Sequence, residues 1–239
     1  MMSFIGLMTM FLAWNLQEVT GGQTTVALSC GLFTSSRREP IELNLVSVSR
    51  SKEILEKLLT CGEADSQIGI DEFYFSYHGI SDELTGLMAA ILYRFNDVAR
   101  TLIHYTRDLN LRNKQGWSAL HWAASMGNND LLKIILDFGG DVNSMSEDFS
   151  FTPLMIAAST GADTTASILI ARGASVDQRT VNGNTALIFA ASGGQMSSVA
   201  LLLEHGADKH KNSNGGLTAE DNARENNHDD VANFIRNYR

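Results

Sequence analysis

Short apolar runs alternate with glycine-rich polar stretches along the last two thirds of the chain. One run, Gly116-Trp-Ser-Ala-Leu-His-Trp-Ala-Ala-Ser-Met-Gly127, has near-copies that begin at Ser150 and Gly183. Apolar residues recur at helical spacing within each copy, so each copy predicts a short helix. A second apolar run follows and predicts a second helix that ends at a left-handed glycine. These glycines are Gly139, Gly173 and Gly206.

The copies recur with a fixed period. Aligned on the Ser or Thr before the first helix, they start at Thr85, Ser118, Thr152, Thr185 and Thr218, so the steps are 33, 34, 33 and 33 residues. The hydroxyl at these positions predicts a helix N-cap, because it can accept from an orphan backbone N–H. A period near 33 is typical of a solenoid, in which stacked helix pairs share one continuous core.

The repeated unit resembles the ankyrin repeat, whose signature is a Thr-Pro-Leu-His helix start followed by a Gly-Ala-Asp-Val-Asn turn. Here the signature appears as Thr152-Pro-Leu-Met155 and as Gly139-Gly-Asp-Val-Asn143. The resemblance covers about Ser81 to Arg239. It implies an all-α solenoid of helix-turn-helix units with short β-hairpin fingers. It also implies a non-enzymatic scaffold, adaptor or regulator that binds a protein partner.

Residues 1–39 lie outside the repeat pattern. Residues 1–14 are apolar and uncharged, but this run is shorter than the roughly 20 residues of a membrane-spanning helix. It also lacks the cationic start of a secretory signal. Three interpretations stay open: an extension that packs on the first repeat, a targeting segment, or an extension that is disordered or derives from the gene model. If residues 1–16 contact a membrane, the protein is instead a membrane-associated or secreted ankyrin-repeat effector.

We assign residues 40–239 to one repeat domain that begins with a degenerate unit at 40–65. Leu43, Leu45, Val46 and Val48 are expected to fill its first helix. An aromatic-rich insertion follows at 66–83, and it is either an interaction loop or a lid over the exposed core of the first repeat. Clear units start at about residue 81.

The last unit, at 215–239, is unusually polar. Glu220 and Asn222 occupy positions that are apolar in the other copies. Terminal repeats of solenoids have a polar outer face. We therefore expect a C-terminal cap at which the stack ends.

The chain has 239 residues, of which 44% are hydrophobic and 19% charged, as is typical of globular proteins. Its net charge of −9 argues against nucleic-acid binding, since phosphate backbones are bound by clustered Lys and Arg. Cys30 and Cys61 form no zinc-binding pattern. They could form a disulfide, but a reducing compartment fits better, because the repeats need no covalent cross-link. We therefore expect a cytoplasmic protein, or alternatively a nuclear one. The long helical stack predicts a monomer, and the alternative is self-association through the apolar N-terminus.

No motif of a hydrolase, a nucleotide-binding loop or a zinc protease occurs in the sequence. His121 follows Ser118 by three residues, a spacing that in ankyrin-like repeats braces the helix start and the neighbouring loop. We expect no catalytic residue, no metal and no cofactor. An enzymatic site would have to lie in residues 1–39 or around His78 in the insertion.

The resemblance implies a partner-binding surface on the concave face, made from fingertips and from the exposed ends of the first helices. The predicted partner-binding residues are Trp117, Phe149, Phe151, Met126, Gln115, Asn182 and Asn184. The first four are large apolar side chains that we expect to be exposed, as interface hot spots are. Alternatively, the aromatic rings fold back and pack the hairpins.

Asn143 carries a separate hypothesis. It follows Leu136 and Asp141-Val142, and this arrangement resembles ankyrin sites that accept asparaginyl hydroxylation in animals. Alternatively, Asn143 only stabilises its own turn.

Overall fold

The computed structural model describes residues 41–43, 74–77 and 80–239. The first part is a three-stranded sheet of β1 (Ile41–Leu43), β2 (Tyr74–Tyr77) and β3 (Ile80–Thr85). β1 pairs with β2 in parallel, and β2 pairs with β3 antiparallel. The predicted extension at 1–39, most of the degenerate unit and His78 lie outside the described residues.

The sheet corrects one prediction about the degenerate unit. Leu43 was expected in a first helix, but Ile41–Leu43 is a β-strand whose register places Leu43 opposite Tyr77. The partner strand lies in the predicted insertion at 66–83, so a distant segment supplies the hydrogen bonds that an extended backbone needs. A helix prediction made from the local sequence alone cannot take this distant partner strand into account.

Ten helices follow in the described residues, arranged as five consecutive pairs. The first helices of the pairs are α1 (Gly86–Leu92), α3 (Ala119–Ser125), α5 (Pro153–Thr160), α7 (Ala186–Ser192) and α9 (Ala219–Glu225). The second helices are α2 (Asn96–Tyr105), α4 (Asn129–Asp137), α6 (Asp163–Ala171), α8 (Met196–Glu204) and α10 (Asp229–Asn237). First helices pack on first helices and second helices on second helices, which gives the two layers of a solenoid.

The predicted caps start the first helices. The Thr152 hydroxyl accepts from the N–H of Met155, and Pro153 occupies the first turn, where no N–H is needed. The Thr185 hydroxyl accepts from the N–H of Ile188 in the same way. Local chemistry therefore fixes where these helices begin.

The core lies between the two layers. In α3 the side chains of Leu120, Ala123 and Ala124 are buried, and they repeat in α5 and α7. Small alanines let neighbouring first helices approach closely. Gly139, with φ of 97°, ends α4 in the left-handed region as predicted, so the chain can turn into the next finger.

Polar contacts organise the last pair, α9 and α10. Glu220 accepts from Arg236 at 2.8 Å and from Arg224 at 2.6 Å. The hydroxyl and the N–H of Thr218 both donate to Asp221, which lowers the pKa of that carboxyl and closes a capping box at the start of α9. The polar residues of this last unit thus bond to one another and stabilise its two helices.

Candidate protein-binding surface

Each pair is linked to the next by a loop that closes as a short hairpin finger. In each finger the first residue donates its backbone N–H to the carbonyl of the last at 2.9 Å. We name these fingers A (113–117), B (146–151), C (180–184) and D (213–217). Finger B is one residue longer than the others. The predicted β-hairpin fingers are therefore confirmed.

Fingers B, C and D are hydrogen-bonded to one another at their tips. The N–H of Val181 donates to the carbonyl of Phe149 at 3.2 Å, and the N–H of Asn214 donates to the carbonyl of Asn182 at 2.8 Å. The Asn214 side-chain amide also donates to the carbonyl of Val181 at 2.9 Å. The three tips thus form one continuous ridge, which we call the fingertip ridge.

The structure separates the two predicted phenylalanines of finger B. Phe149 is 46% exposed, whereas Phe151 is only 7% exposed. The Phe151 ring packs between Phe149, at a centroid distance of 5.8 Å, and Phe189, at 5.3 Å. The expectation that Phe151 is exposed is therefore wrong, because its ring fills the space between finger B and α7.

Trp117 and Met126 are partly buried against the core, which is less exposure than the sequence predicted. The Trp117 ring packs on Trp122, with centroids 5.0 Å apart, and on His121, at 5.9 Å. The alternative that aromatic rings fold back and pack the hairpins thus describes Phe151 fully and Trp117 in part. A role of Trp117 and Met126 in binding stays a prediction.

The three predicted polar residues differ in their surroundings. Gln115 is partly buried, and its side-chain oxygen accepts from the Asn113 amide at 2.6 Å, so it stabilises the turn of finger A. Asn184 is partly buried at the base of finger C, where its N–H donates to the Thr180 hydroxyl. Asn182 is exposed at the tip. Of the three, only Asn182 presents its side chain on the fingertip ridge.

Val181 was absent from the predicted partner-binding residues, although at 52% it is the most exposed large apolar side chain that the structure describes. Its backbone bond to Phe149 places it next to that ring on the fingertip ridge. The aligned positions of the other fingers hold Lys114, Asp148 and Asn214. An apolar, β-branched residue at an otherwise polar position was the signal that could have identified it.

His121 is wholly buried and takes part in bracing two repeats. Its Nδ1 accepts from the N–H of Ser118 at 3.1 Å and lies 2.9 Å from the Ser118 hydroxyl. Nε2 therefore carries the proton and donates to the carbonyl of Phe151 at 3.0 Å. Burial lowers the pKa of His121 to about 4, so the ring is neutral near pH 7. A buried ring with both nitrogens bonded cannot reach a substrate.

Asn143 joins two successive loops. Its side-chain NH2 donates to the carbonyl of Gly173 at 3.2 Å, and its side-chain oxygen accepts from the N–H of Ser175 at 2.8 Å. Asn110 makes the corresponding bonds one repeat earlier, to Gly139 and Asp141. Asn143 thus stabilises the contact between repeats as well as its own turn.

The described residues also bear on metal binding and on membrane spanning. In residues 80–239 no three acidic, histidine or cysteine side chains are grouped so that they could hold a metal ion. Over the same part of the chain, no helix combines the length and the apolar character needed to span a bilayer.

The sequence matches a family model of ankyrin repeats over residues 43–146, 87–180, 130–213 and 154–238. Curated relatives include an ankyrin repeat protein of Acanthamoeba polyphaga mimivirus, 28% identical over 107 residues, which are 45% of this chain and 14% of that protein. Glycerophosphocholine phosphodiesterase gde1 of Schizosaccharomyces pombe is 42% identical over 72 residues, 29% of this chain and 6% of that protein. A transient receptor potential cation channel subfamily A member 1 homolog of Caenorhabditis elegans is 34% identical over 156 residues, 63% of this chain and 12% of that protein.

The chain therefore spans about a seventh or less of the length of these three relatives. Their names describe a viral repeat protein, an enzyme and a channel, so the shared segment is the repeat stack and does not fix one activity. Ankyrin repeats are protein–protein interaction modules and are typically non-enzymatic. The overlapping matches cover the chain from residue 43 to residue 238, and it belongs to the ankyrin-repeat family.

Proposed function

We propose that this chain is a non-enzymatic scaffold, adaptor or regulator that binds a protein partner through its concave face and hairpin fingers. The proposal includes one repeat domain at 40–239, no cofactor, and a cytoplasmic or nuclear monomer. The observation that carries it is the fingertip ridge, in which exposed apolar side chains stand on a backbone that is already hydrogen-bonded.

The ridge has two properties that favour recognition of another protein. Phe149 and Val181 expose about half of their surface side by side, and a few centrally buried side chains, aromatic ones above all, carry most of the energy of an interface. The bonds from Val181 to Phe149 and from Asn214 to Asn182 fix the tips before any partner arrives. A preordered surface loses less conformational entropy on binding.

The test compares two variants that remove exposed apolar side chains from different faces. The Phe149→Ala, Val181→Ser double variant alters the fingertip ridge. The matched control is Phe138→Ala, because Phe138 is 51% exposed but lies at the end of α4, edge-on to His104. Phe151→Ala is unsuitable, since that ring is buried.

Partners captured from native lysate by the wild-type chain would be purified, and their Kd measured for each variant. We expect the ridge variant to bind at least about 30-fold more weakly, as loss of a hot spot worth about 2 kcal/mol requires. The control should bind like wild type, and all proteins should share the same circular dichroism and melting temperature. If a partner binds the ridge variant normally but no longer binds the Phe138→Ala control, the interface lies on the layer of second helices.

A further inference from the structure

Two fingertips carry an Asn-Gly pair, Asn182-Gly183 on finger C and Asn214-Gly215 on finger D. Both asparagines are exposed. An asparagine followed by glycine can react with its own backbone, because the amide nitrogen of the glycine reaches the side-chain Cγ without hindrance from a Cβ. The reaction needs that nitrogen to be accessible, so the state of the glycine amide decides which pair reacts.

The two glycine amides differ in the folded chain. The N–H of Gly183 donates to the carbonyl of Thr180 at 2.8 Å, and Gly183 is buried with φ of 78°. Gly215 is exposed, and no residue of the described part of the chain accepts from its N–H. The nucleophile is therefore held back at Gly183 and available at Gly215.

The side chain of Asn214 is held next to a cation. Its NH2 group donates to the carbonyl of Val181, and its Oδ1 lies 3.5 Å from the Arg179 guanidinium. Arg179 is fixed there by bonds to the carbonyls of Gly183 at 3.1 Å and Asn212 at 2.9 Å. A fixed cation beside this oxygen stabilises the negative charge that develops on it when the Cγ is attacked.

We propose that Asn214 is a self-modification site of the folded protein. The Gly215 nitrogen forms a bond to the Asn214 Cγ, the bond from Cγ to Nδ2 breaks, and the amide proton leaves with Nδ2 as ammonia. The resulting succinimide is opened by one water molecule at either of its carbonyls. The product is aspartate or isoaspartate, and the balance is one water gained and one ammonia lost.

The conversion changes the fingertip ridge. The new carboxylate cannot donate to the carbonyl of Val181, so one of the bonds between fingers C and D is lost. It also adds a negative charge next to Arg179. This inference rests on the fold of the fingers and is independent of the proposed partner binding.

The test follows the full chain during incubation at mildly alkaline pH, with peptide mass spectrometry and enzymatic isoaspartate labelling at intervals. We expect Asn214 to convert several-fold faster than Asn182. The same chain unfolded in urea is the reference, and there both pairs should convert at similar rates because neither glycine amide is bonded. The proposal would be overturned if the rate at Asn214, divided by the rate at Asn182, were the same in the folded and the unfolded chain.

Gly215→Ala is the matched variant. A Cβ at Gly215 would meet only the Ser213 hydroxyl at 3.6 Å, so alanine fits without strain and the melting temperature should not change. We expect conversion at Asn214 to fall several-fold while Asn182 is unaffected. Unchanged conversion at Asn214 would exclude attack by residue 215.

Arg179→Gln tests the guanidinium. Slower conversion at Asn214 is expected, because the charge that develops on Oδ1 loses its nearby cation. Faster conversion would show that Arg179 restrains the amide, and it would overturn the assistance assigned to this residue.

Discussion

The Nε2 of His121 lies 3.0 Å from the carbonyl oxygen of Phe151, in the finger of the next repeat. The Nδ1 of the same ring accepts from the N–H of Ser118. One neutral imidazole thus joins the start of α3 to finger B, next to the cap at Thr152. Because the ring is buried, the protonation of His121 is coupled to folding.

This coupling predicts that the free energy of unfolding falls as the pH drops from 6.5 towards 4. Burial lowers the pKa of His121 from 6.5 to about 4 in the folded chain. The unfolded chain therefore binds the proton first, so the stability is full above pH 6.5 and is lost progressively below it. The largest loss is about 3 kcal/mol.

Urea unfolding at about pH 7 and about pH 5 measures this loss. His121→Gln should show a weaker dependence on pH than the wild type. His210→Gln, at an exposed histidine, is the control for replacing an imidazole by an amide. The hypothesis fails if His121→Gln retains the full pH dependence.

The two phenylalanines of finger B should differ in their effect on stability. Phe151→Ala leaves a cavity between finger B and α7, so we expect it to lower the free energy of unfolding by about 3–5 kcal/mol. Phe149→Ala removes an exposed ring and should cost less than about 1 kcal/mol. Urea unfolding of both variants measures these changes. Equal losses of unfolding free energy in the two variants would contradict the difference in burial between the two rings.

The fold could be predicted from the sequence because its signals are local. The hydroxyl of Thr152, the proline that follows it and the glycine at 139 each act within one turn of the chain, through capping or a left-handed backbone. The Ser or Thr cap recurs at five positions from Thr85 to Thr218, and the glycine after the second helix recurs at Gly139, Gly173 and Gly206. Independent local signals that agree make an assignment secure.

The details that escaped prediction depend on contacts between distant residues. Phe151 is buried because its ring meets Phe189, 38 positions later, and periodicity within one repeat does not contain that contact. Ile41–Leu43 is a strand because it pairs with β2, more than 30 residues away.

Asn143 provides a third prediction. Asn143→Ala removes the bonds to Gly173 and Ser175 and should lower the free energy of unfolding by about 1–3 kcal/mol. Asn143→Asp keeps an acceptor for the Ser175 N–H and should cost less than alanine. Urea unfolding of the two variants tests this order, and a larger loss for aspartate would show that the Gly173 bond dominates.

Hydroxylation of Asn143 stays a prediction drawn from the family resemblance. Both polar atoms of the side chain are bonded to the next loop, so an enzyme reaches the residue only when this contact opens. Phe151→Ala is expected to be less stable than the wild type, so its repeats should open more often. In protein from animal cells, the peptide that contains Asn143 should therefore gain one oxygen to a greater extent in Phe151→Ala than in wild type. Absence of the added oxygen from both proteins would refute the hypothesis.

Lys209 caps the last helix from a distance. Its Nζ donates to the carbonyls of Ile235, Arg236 and Tyr238, at 3.3, 3.2 and 2.6 Å, at the C-terminal end of α10, where a helix runs out of backbone donors. Lys209→Met should therefore lower the free energy of unfolding by about 1–2 kcal/mol. The last turn of α10 should also exchange its amide hydrogens faster.

Lys133→Met, on the exposed face of α4, is the control for loss of one positive charge. Equal exchange of α10 in the two variants would mean that α10 is held by the packing of Val231 and Ile235 alone.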